Sequence, residues 1–263
     1  MTDPGRSDLP IAALSGVRAL VTGANRGIGA CFVDALMSGG AAVVYAGARD
    51  VAALDPLLRQ YGDRLVPVRL DMTEPAHIDD FCAGHDDVSL LISNAGRDGT
   101  GSVLAQDEAD VRDLFEVHTF GPWRLAAGLA PQLRVNRGGI IFVHTAAALV
   151  LSRRGPFYSA SKAAGWMMAA AMREALRADG VRVTSVFPGF TDTEIVRSDD
   201  IVKASPVDVA ARSLQGWASG EACVFPDRFA ELVHEKLVTD MQRILDEPTA
   251  VVTETVARYT AGE

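Results

Sequence analysis

The chain has 263 residues, 48% of them hydrophobic and 22% charged, with a formal net charge of −9. This is the composition of an ordinary globular protein with enough chain for a substantial core. The acidic balance argues against a nucleic-acid surface, which needs a basic stripe, yet leaves room for an anionic cofactor held by a few arginines and helix N-termini.

Residues 1–15 carry acids and prolines without a long apolar core, so they are expected to form a flexible lead-in and not a signal peptide. No run reaches the roughly 18 apolar residues of a membrane helix. Cys31, Cys82 and Cys223 are scattered without C-x-x-C spacing. They suggest neither a disulfide framework nor a metal site, and are expected to be small buried side chains in a reducing compartment. These features together point to a cytoplasmic protein.

Apolar, β-rich runs follow at 17–22, 42–46, 65–70, 88–93, 139–144, 181–187 and 222–225. Several are nearly continuous, as strands covered on both faces are. Helical patterns begin between them near Ile28, Leu54, Glu74, Asp107, Tyr158 and Pro206, and a last amphipathic stretch covers about 229–246. Such alternation predicts an α/β, doubly wound, Rossmann-like fold with a seven-stranded parallel sheet and helices on both faces. No repeat or linker divides the chain, so residues 16–228 are expected to form one domain, with 229–263 as its helical extension. Ligands in such sheets bind at the carboxyl ends of the strands.

The first strand runs into Thr22-Gly23-Ala24-Asn25-Arg26-Gly27-Ile28-Gly29 and then an apolar helix. Glycines there permit a tight turn and close backbone approach to a pyrophosphate, which the helix N-terminus attracts. The spacing T-G-x-x-x-G-x-G resembles the fingerprint of the short-chain dehydrogenase/reductase family, and the resemblance extends over roughly residues 17–225. It implies a nicotinamide-dependent oxidoreductase acting on a carbonyl or alcohol. Gly23, Asn25, Arg26, Gly27, Ile28 and Gly29 then belong to the cofactor site. Where an NAD-preferring pocket places a carboxylate after the second strand, this chain has Ala48 followed by Arg49. Arg26 and Arg49 suit the extra phosphate of NADP(H), in preference to NAD. A one-residue slip in alignment would bring Asp50 into play.

Further motifs follow in register. Asp71 and Met72 end the third strand, where the resemblance implies contact with adenine; a plain turn aspartate is the other reading. Ser93-Asn94-Ala95-Gly96 is similar to the family's N-N-A-G, with Ser93 in place of the first asparagine. Pro188-Gly189-Phe190-Thr191-Asp192-Thr193 resembles the loop that holds the nicotinamide carboxamide, through Pro188, Gly189, Thr191 and Thr193.

Tyr158 and Lys162 stand four residues apart, on one face of a helix. The resemblance makes Tyr158 the general acid/base, with Lys162 lowering its pKa and holding the ribose. Thirteen residues upstream, the family's substrate-binding serine is replaced by Thr145, which keeps a hydroxyl. The family's asparagine, which sustains a helix distortion and a water on the lysine's proton relay, is replaced by His118. Three roles are open for His118: a modified relay, a substrate contact, or packing in a slow or silent enzyme. Ala146, Ala147, Val150, Phe157 and Phe190 are expected to wall the substrate pocket, beneath a short lid at 194–205.

Other classes fit less well. Gly216-Trp217-Ala218-Ser219-Gly220 has the wrong spacing for a nucleophile elbow, and no zincin or P-loop pattern occurs. Two rivals use the same fold: a cofactor-binding sensor with weak catalysis, and an epimerase or dehydratase using the same tyrosine. Small faces on the helices near Asp107 and Tyr158 suggest a homodimer or homotetramer.

Overall fold

Strands rich in Val, Ile and Leu with both faces covered need helices above and below, and the architecture follows from that requirement. In the computed structural model, which describes residues 11–194, 196 and 201–262, the strands are β1 (Arg18–Thr22), β2 (Val43–Ala48), β3 (Leu65–Arg69), β4 (Leu90–Ser93), β5 (Gly139–Val143), β6 (Arg182–Val186) and β7 (Cys223–Val224). They form one seven-stranded sheet in the order β3-β2-β1-β4-β5-β6-β7, every pairing parallel. The predicted doubly wound parallel sheet is therefore present. Its order reverses between β1 and β4, and the register brings the carboxyl ends Thr22, Ser93, Val143 and Val186 to one edge. That is where a ligand crevice forms in such sheets.

The helices are α1 (Ile11–Leu14), α2 (Gly27–Ser38), α3 (Asp55–Tyr61), α4 (Pro75–Gly84), α5 (Glu108–Phe115), α6 (Gly121–Val135), α7 (Pro156–Arg177), α8 (Pro206–Ala218), α9 (Arg228–Thr239), α10 (Met241–Asp246) and α11 (Pro248–Thr260). On one face α2 and α8 bury Phe32, Val33, Leu36 and Leu214 with Val21 and Val44 of the sheet. On the other, α4, α6 and α7 bury Phe81, Leu125, Leu129 and Ala169 with Leu20 and Leu91. A third apolar cluster joins the turn at Ala146 to Phe229, Leu232 and Val233 of α9 and Tyr259 of α11.

Several expectations change. The stretch at 229–246 is two helices, broken at Asp240 (φ −146°, ψ 41°), and α11 follows as an additional helix with Pro248 in its first turn. Part of the expected flexible lead-in is ordered, because Leu14 is fully buried; residues 1–10 lie outside the described residues. Of the lid segment, residues 195 and 197–200 also lie outside them. Cys223 is exposed on the edge strand, not buried, because β7 has a neighbour on one side only. Among the described residues no helix is long and apolar enough to cross a membrane.

Candidate active site

A cleft of about 850 Å³ opens at the carboxyl edge of the sheet. Its walls bring together Gly23, Asn25, Arg26, Gly27, Ile28, Arg49, Asp71, Met72, Asn94, Ala95, Gly96, Thr145, Tyr158, Lys162, Pro188, Gly189, Thr191 and Thr193. Residues from six separate loops thus converge where the topology reverses.

The glycine turn is closely built. Gly23 has φ +65°, a region unfavourable to other residues, and a Cβ there would sit 3.0 Å from Ala95 Cα. Gly29 stands behind the cleft wall, where a Cβ would fall 2.0 Å from the Gly23 carbonyl oxygen. Arg26 precedes α2 and makes no side-chain cap, so first-turn N–H groups of α2 are left without a side-chain acceptor beside the cleft. Asn94 ties β4 to β1: its amide Nδ2 donates to the Thr22 carbonyl at 3.0 Å, and Thr22 Oγ1 accepts the Asn94 and Ala95 N–H groups at 2.9 Å.

At the β2 end, Ala48 is buried and Arg49 is exposed on the cleft wall. Asp50 also lines the cleft, and its Oδ1 accepts the Ala52 N–H at 3.0 Å, capping the short helical turn Val51–Leu54. One of its carboxylate oxygens is thus engaged by the backbone, while the group stays exposed at the cleft wall. Arg26 pairs with Glu194 across the cleft mouth. Asp71 accepts from both the N–H (3.0 Å) and the hydroxyl (2.9 Å) of Thr73 through Oδ1, so it shapes the turn while still lining the cleft.

Asp227 was not singled out from the sequence. Its Oδ2 accepts the Gly189 N–H at 2.7 Å, while Oδ1 caps α9 by accepting the Ala230 N–H at 3.0 Å. One carboxylate thereby fixes the Pro-Gly turn to the C-terminal helices. Asp227→Ala removes the cap and leaves the Gly189 N–H unpaired, at a cost of about 2 kcal/mol. Thermal denaturation is expected to show a melting temperature lower by roughly 5 °C.

At the centre, the Lys162 ammonium donates to the Val143 carbonyl at 3.0 Å and is buried with 6% exposure. Burial pushes its pKa down to about 8. The Tyr158 phenol goes the other way from the sequence expectation. Burial, reinforced by the Asp98 carboxylate, pushes it up to about 12, against a hydrogen bond from Thr145 that lowers it. Desolvation is the largest cause, and the Thr145 hydrogen bond is what opposes it. Thr145 Oγ1 accepts the Ala147 N–H at 3.2 Å, so its single hydroxyl proton goes either to the Tyr158 phenol or to a substrate oxygen in the cleft.

His118 lies behind the cleft, 3% exposed, in a single π-helical turn (Glu116–Phe120) between α5 and α6. Its Nε2 accepts the Arg97 N–H at 3.2 Å, which places its proton on Nδ1, 2.9 Å from Ser161 Oγ. Ser161 in turn donates to the Tyr158 carbonyl at 2.9 Å. Burial and the Lys162 charge hold the imidazole well below its ordinary pKa, so it is neutral. With both nitrogens engaged and its edge against the Tyr158 ring at 5.3 Å, His118 does not reach the cleft. Through Ser161 of α7 and the Arg97 N–H, His118 links the π turn to its surroundings on the side away from the cleft. π turns of this kind recur at functional sites.

The expected apolar walls are not brought to the cleft. Ala146 is buried, and Val150 and Phe190 pack beside it, against α9 and α11. Ala147 and Phe157 are half-buried and also outside the lining. The apolar surface of Ala146, Val150 and Phe190 is taken up by the C-terminal helices instead.

Comparison with known proteins fits this geometry. Residues 18–201 match the family described as short chain dehydrogenase. A short-chain type dehydrogenase/reductase of Sinorhizobium fredii is 32% identical over 68% of this chain and 72% of its own length. The NADPH-dependent 1-acyldihydroxyacetone phosphate reductase of Saccharomyces cerevisiae is 34% identical over 67% of this chain and 62% of its own. A short-chain dehydrogenase of Burkholderia cenocepacia, solved in complex with NADP, superposes with a TM-score of 0.84 at 34% identity, over 90% of this chain and 98% of that one. With the crossover topology, the glycine turn and the Tyr158–Lys162 pair all in one cleft, this chain belongs to the short-chain dehydrogenase family of oxidoreductases.

Proposed function

We propose that this protein is an NADP(H)-dependent oxidoreductase that reduces a small or medium carbonyl compound to a secondary alcohol, with Tyr158 as general acid. The observation that carries the reading is the Tyr158–Thr145–Lys162 cluster at the closed end of the cleft. The cleft fits a dinucleotide: a Cβ at Gly23 or Gly29 would obstruct the turn, and the α2 N-terminus suits the pyrophosphate. Arg26 and Arg49 on the cleft wall, where β2 ends in Ala48 and not in a carboxylate, support NADP over NAD, as does the NADP-bound relative.

The bound nicotinamide supplies the hydride. Thr145 donates to the substrate oxygen and orients it. Tyr158, whose raised pKa keeps it protonated through neutral pH, gives its proton to that oxygen as negative charge develops. Lys162 presents its charge beside both and would hold the ribose hydroxyls of a bound cofactor. Reduction consumes a proton and Tyr158 stays protonated through neutral pH, so the reductive direction is favoured toward acid; the Lys162 ammonium is charged below about pH 8. Exposed Phe120, Trp123 and Met167 support association into a homodimer or homotetramer.

The test is a panel of ketones and aldehydes offered with NADPH and NADH in parallel. NADPH oxidation with a marked preference over NADH is expected, and Arg49→Ala should cost roughly tenfold in kcat/KM for NADPH alone. Tight NADPH binding without oxidation of any substrate would overturn the reading in favour of a sensor. Turnover without net NADPH consumption would overturn it in favour of epimerisation.

A further inference from the structure

Across Lys162 from the cleft lies a second, much smaller chamber of about 10 Å³. On that measure it has the size to admit one water molecule. Ser93, His118, His144 and Lys162 give it polar walls, between Ala95 and Phe142. Lys162 and His144 line both spaces.

His144 is the feature that motifs leave unexplained. It is 6% exposed, at the end of β5, with its ring beside Phe142 (6.1 Å) and Phe187 (5.5 Å). Its Nε2 is buried and has no hydrogen-bond partner among the described residues. Such an atom destabilises the fold unless something satisfies it. His118 cannot, because Arg97 and Ser161 occupy both its nitrogens. Lys162 has donors to spare, since Val143 takes one of its three ammonium protons.

We propose that a single water in this chamber accepts from the Lys162 ammonium and donates to His144 Nε2, which makes His144 a positioning residue that keeps Lys162 charged and in place. This arrangement requires the Nδ1–H tautomer of neutral His144, in which Nε2 is the acceptor. Burial and the Lys162 cation hold it neutral, well below its ordinary range. The titratable groups around Lys162 are Tyr158 on its own helix, His118 from the π turn and His144 from β5. Arg97 acts at the next remove through His118, and Asp98 through Tyr158. The site lies beside the chemistry but not in contact with substrate. Its catalytic importance rests on the oxidoreductase reading above, whereas its existence does not.

The test exploits a chain with only three lysines, Lys162, Lys203 and Lys236. Carbon-13 labelling at lysine Cε gives the Lys162 titration directly by NMR, in the full-length protein and without turnover. His144→Phe keeps the aromatic packing and removes the acceptor, so the Lys162 pKa should fall by about one pH unit, the effect of losing one hydrogen bond to a charged group. His144→Gln restores an acceptor and should leave it within about 0.3 of wild type. The high-pH limb of kcat/KM for carbonyl reduction should move in parallel. An unchanged titration in His144→Phe, or an equal fall in His144→Gln, would overturn the proposal. Should His144→Phe not fold, a wild-type crystal structure decides: a water between Lys162 Nζ and His144 Nε2 supports it, and none there overturns it. Failure of NADPH turnover with the titration behaving as expected would count against the oxidoreductase reading alone.

Discussion

Tyr158→Phe is expected to lower kcat for carbonyl reduction by about 10²–10⁴-fold while leaving NADPH affinity nearly unchanged. The substitution removes one oxygen and keeps the ring that packs edge-on against His118 at 5.3 Å. The fold and the cofactor cradle therefore persist, and the loss reads the proton transfer itself. Thr145 is the only other hydroxyl that acts on the Tyr158 phenol among the described residues, and one of its lone pairs is taken by the Ala147 N–H. It can donate a hydrogen bond to a substrate oxygen, but a threonine hydroxyl is far too weak an acid to replace the phenol. Single-turnover mixing with pre-bound NADPH separates the chemical step from release, and fluorescence of the bound dinucleotide checks affinity. If the variant kept activity within tenfold of wild type, the proton would have to come from solvent, and Tyr158 would lose its role.

The same geometry sets a direction in pH. A phenol raised to about 12 stays protonated across the neutral range, which suits it to donate; alcohol oxidation needs the phenolate and is disfavoured there. The sequence alone pointed the other way, because Lys162 is four residues from Tyr158 and a nearby cation lowers a phenol's pKa. How deeply both groups are buried is set by β5, the loop after β4 and the Pro-Gly turn, none of which is local to α7. Proximity along a helix is legible in a sequence, whereas the dielectric around it is not.

The same distinction separates other readings. The turn from Gly23 to Gly29 is contiguous, so its spacing can be read directly, and the sheet order follows from the alternation of elements. Asp227 shows an N-cap pattern before the apolar start of α9, and that half of its role was accessible. Its second bond, to Gly189, joins residues 38 positions apart and depends on how the C-terminal helices fold back. Ala146, Val150 and Phe190 read as substrate-wall candidates in the sequence, where Ala146 follows Thr145 and Phe190 follows Gly189. Adjacency does not determine direction: the short helical turn after Thr145 and the packing of α9 and α11 turn all three away from the cleft. His118 was placed correctly in the helix before β5, but the backbone π turn and the bonds that occupy both ring nitrogens are tertiary properties.

Lys162→Met is expected to abolish most activity and yet stabilise the protein at neutral pH. The lysine pKa falls from its ordinary 10.5 to about 8 on folding, caused by burial. The unfolded chain thus binds the proton more tightly than the folded one. Below about pH 8 the folded protein carries the full cost of a desolvated ammonium. Between about 8 and 10.5 the folded lysine sheds its proton while the unfolded one keeps it, so stability rises with pH and the penalty disappears above that window. At about 1.4 kcal/mol per tenfold change in protonation equilibrium, the cost is about 3 kcal/mol. Methionine matches the aliphatic stem but leaves the Val143 carbonyl without its donor, which takes back about 1 kcal/mol. A net gain of about 2 kcal/mol at pH 7 should raise the melting temperature by roughly 5 °C. The gain should shrink to nothing, or reverse, by pH 10.5. Thermal denaturation of both proteins at pH 7 and pH 10.5 measures the difference. A variant less stable than wild type at pH 7 would mean that Lys162 contributes more through its hydrogen bonds than burial of its charge costs. The lysine would then be a structural tie, and its desolvation would no longer mark a charge held in the cleft at the expense of stability.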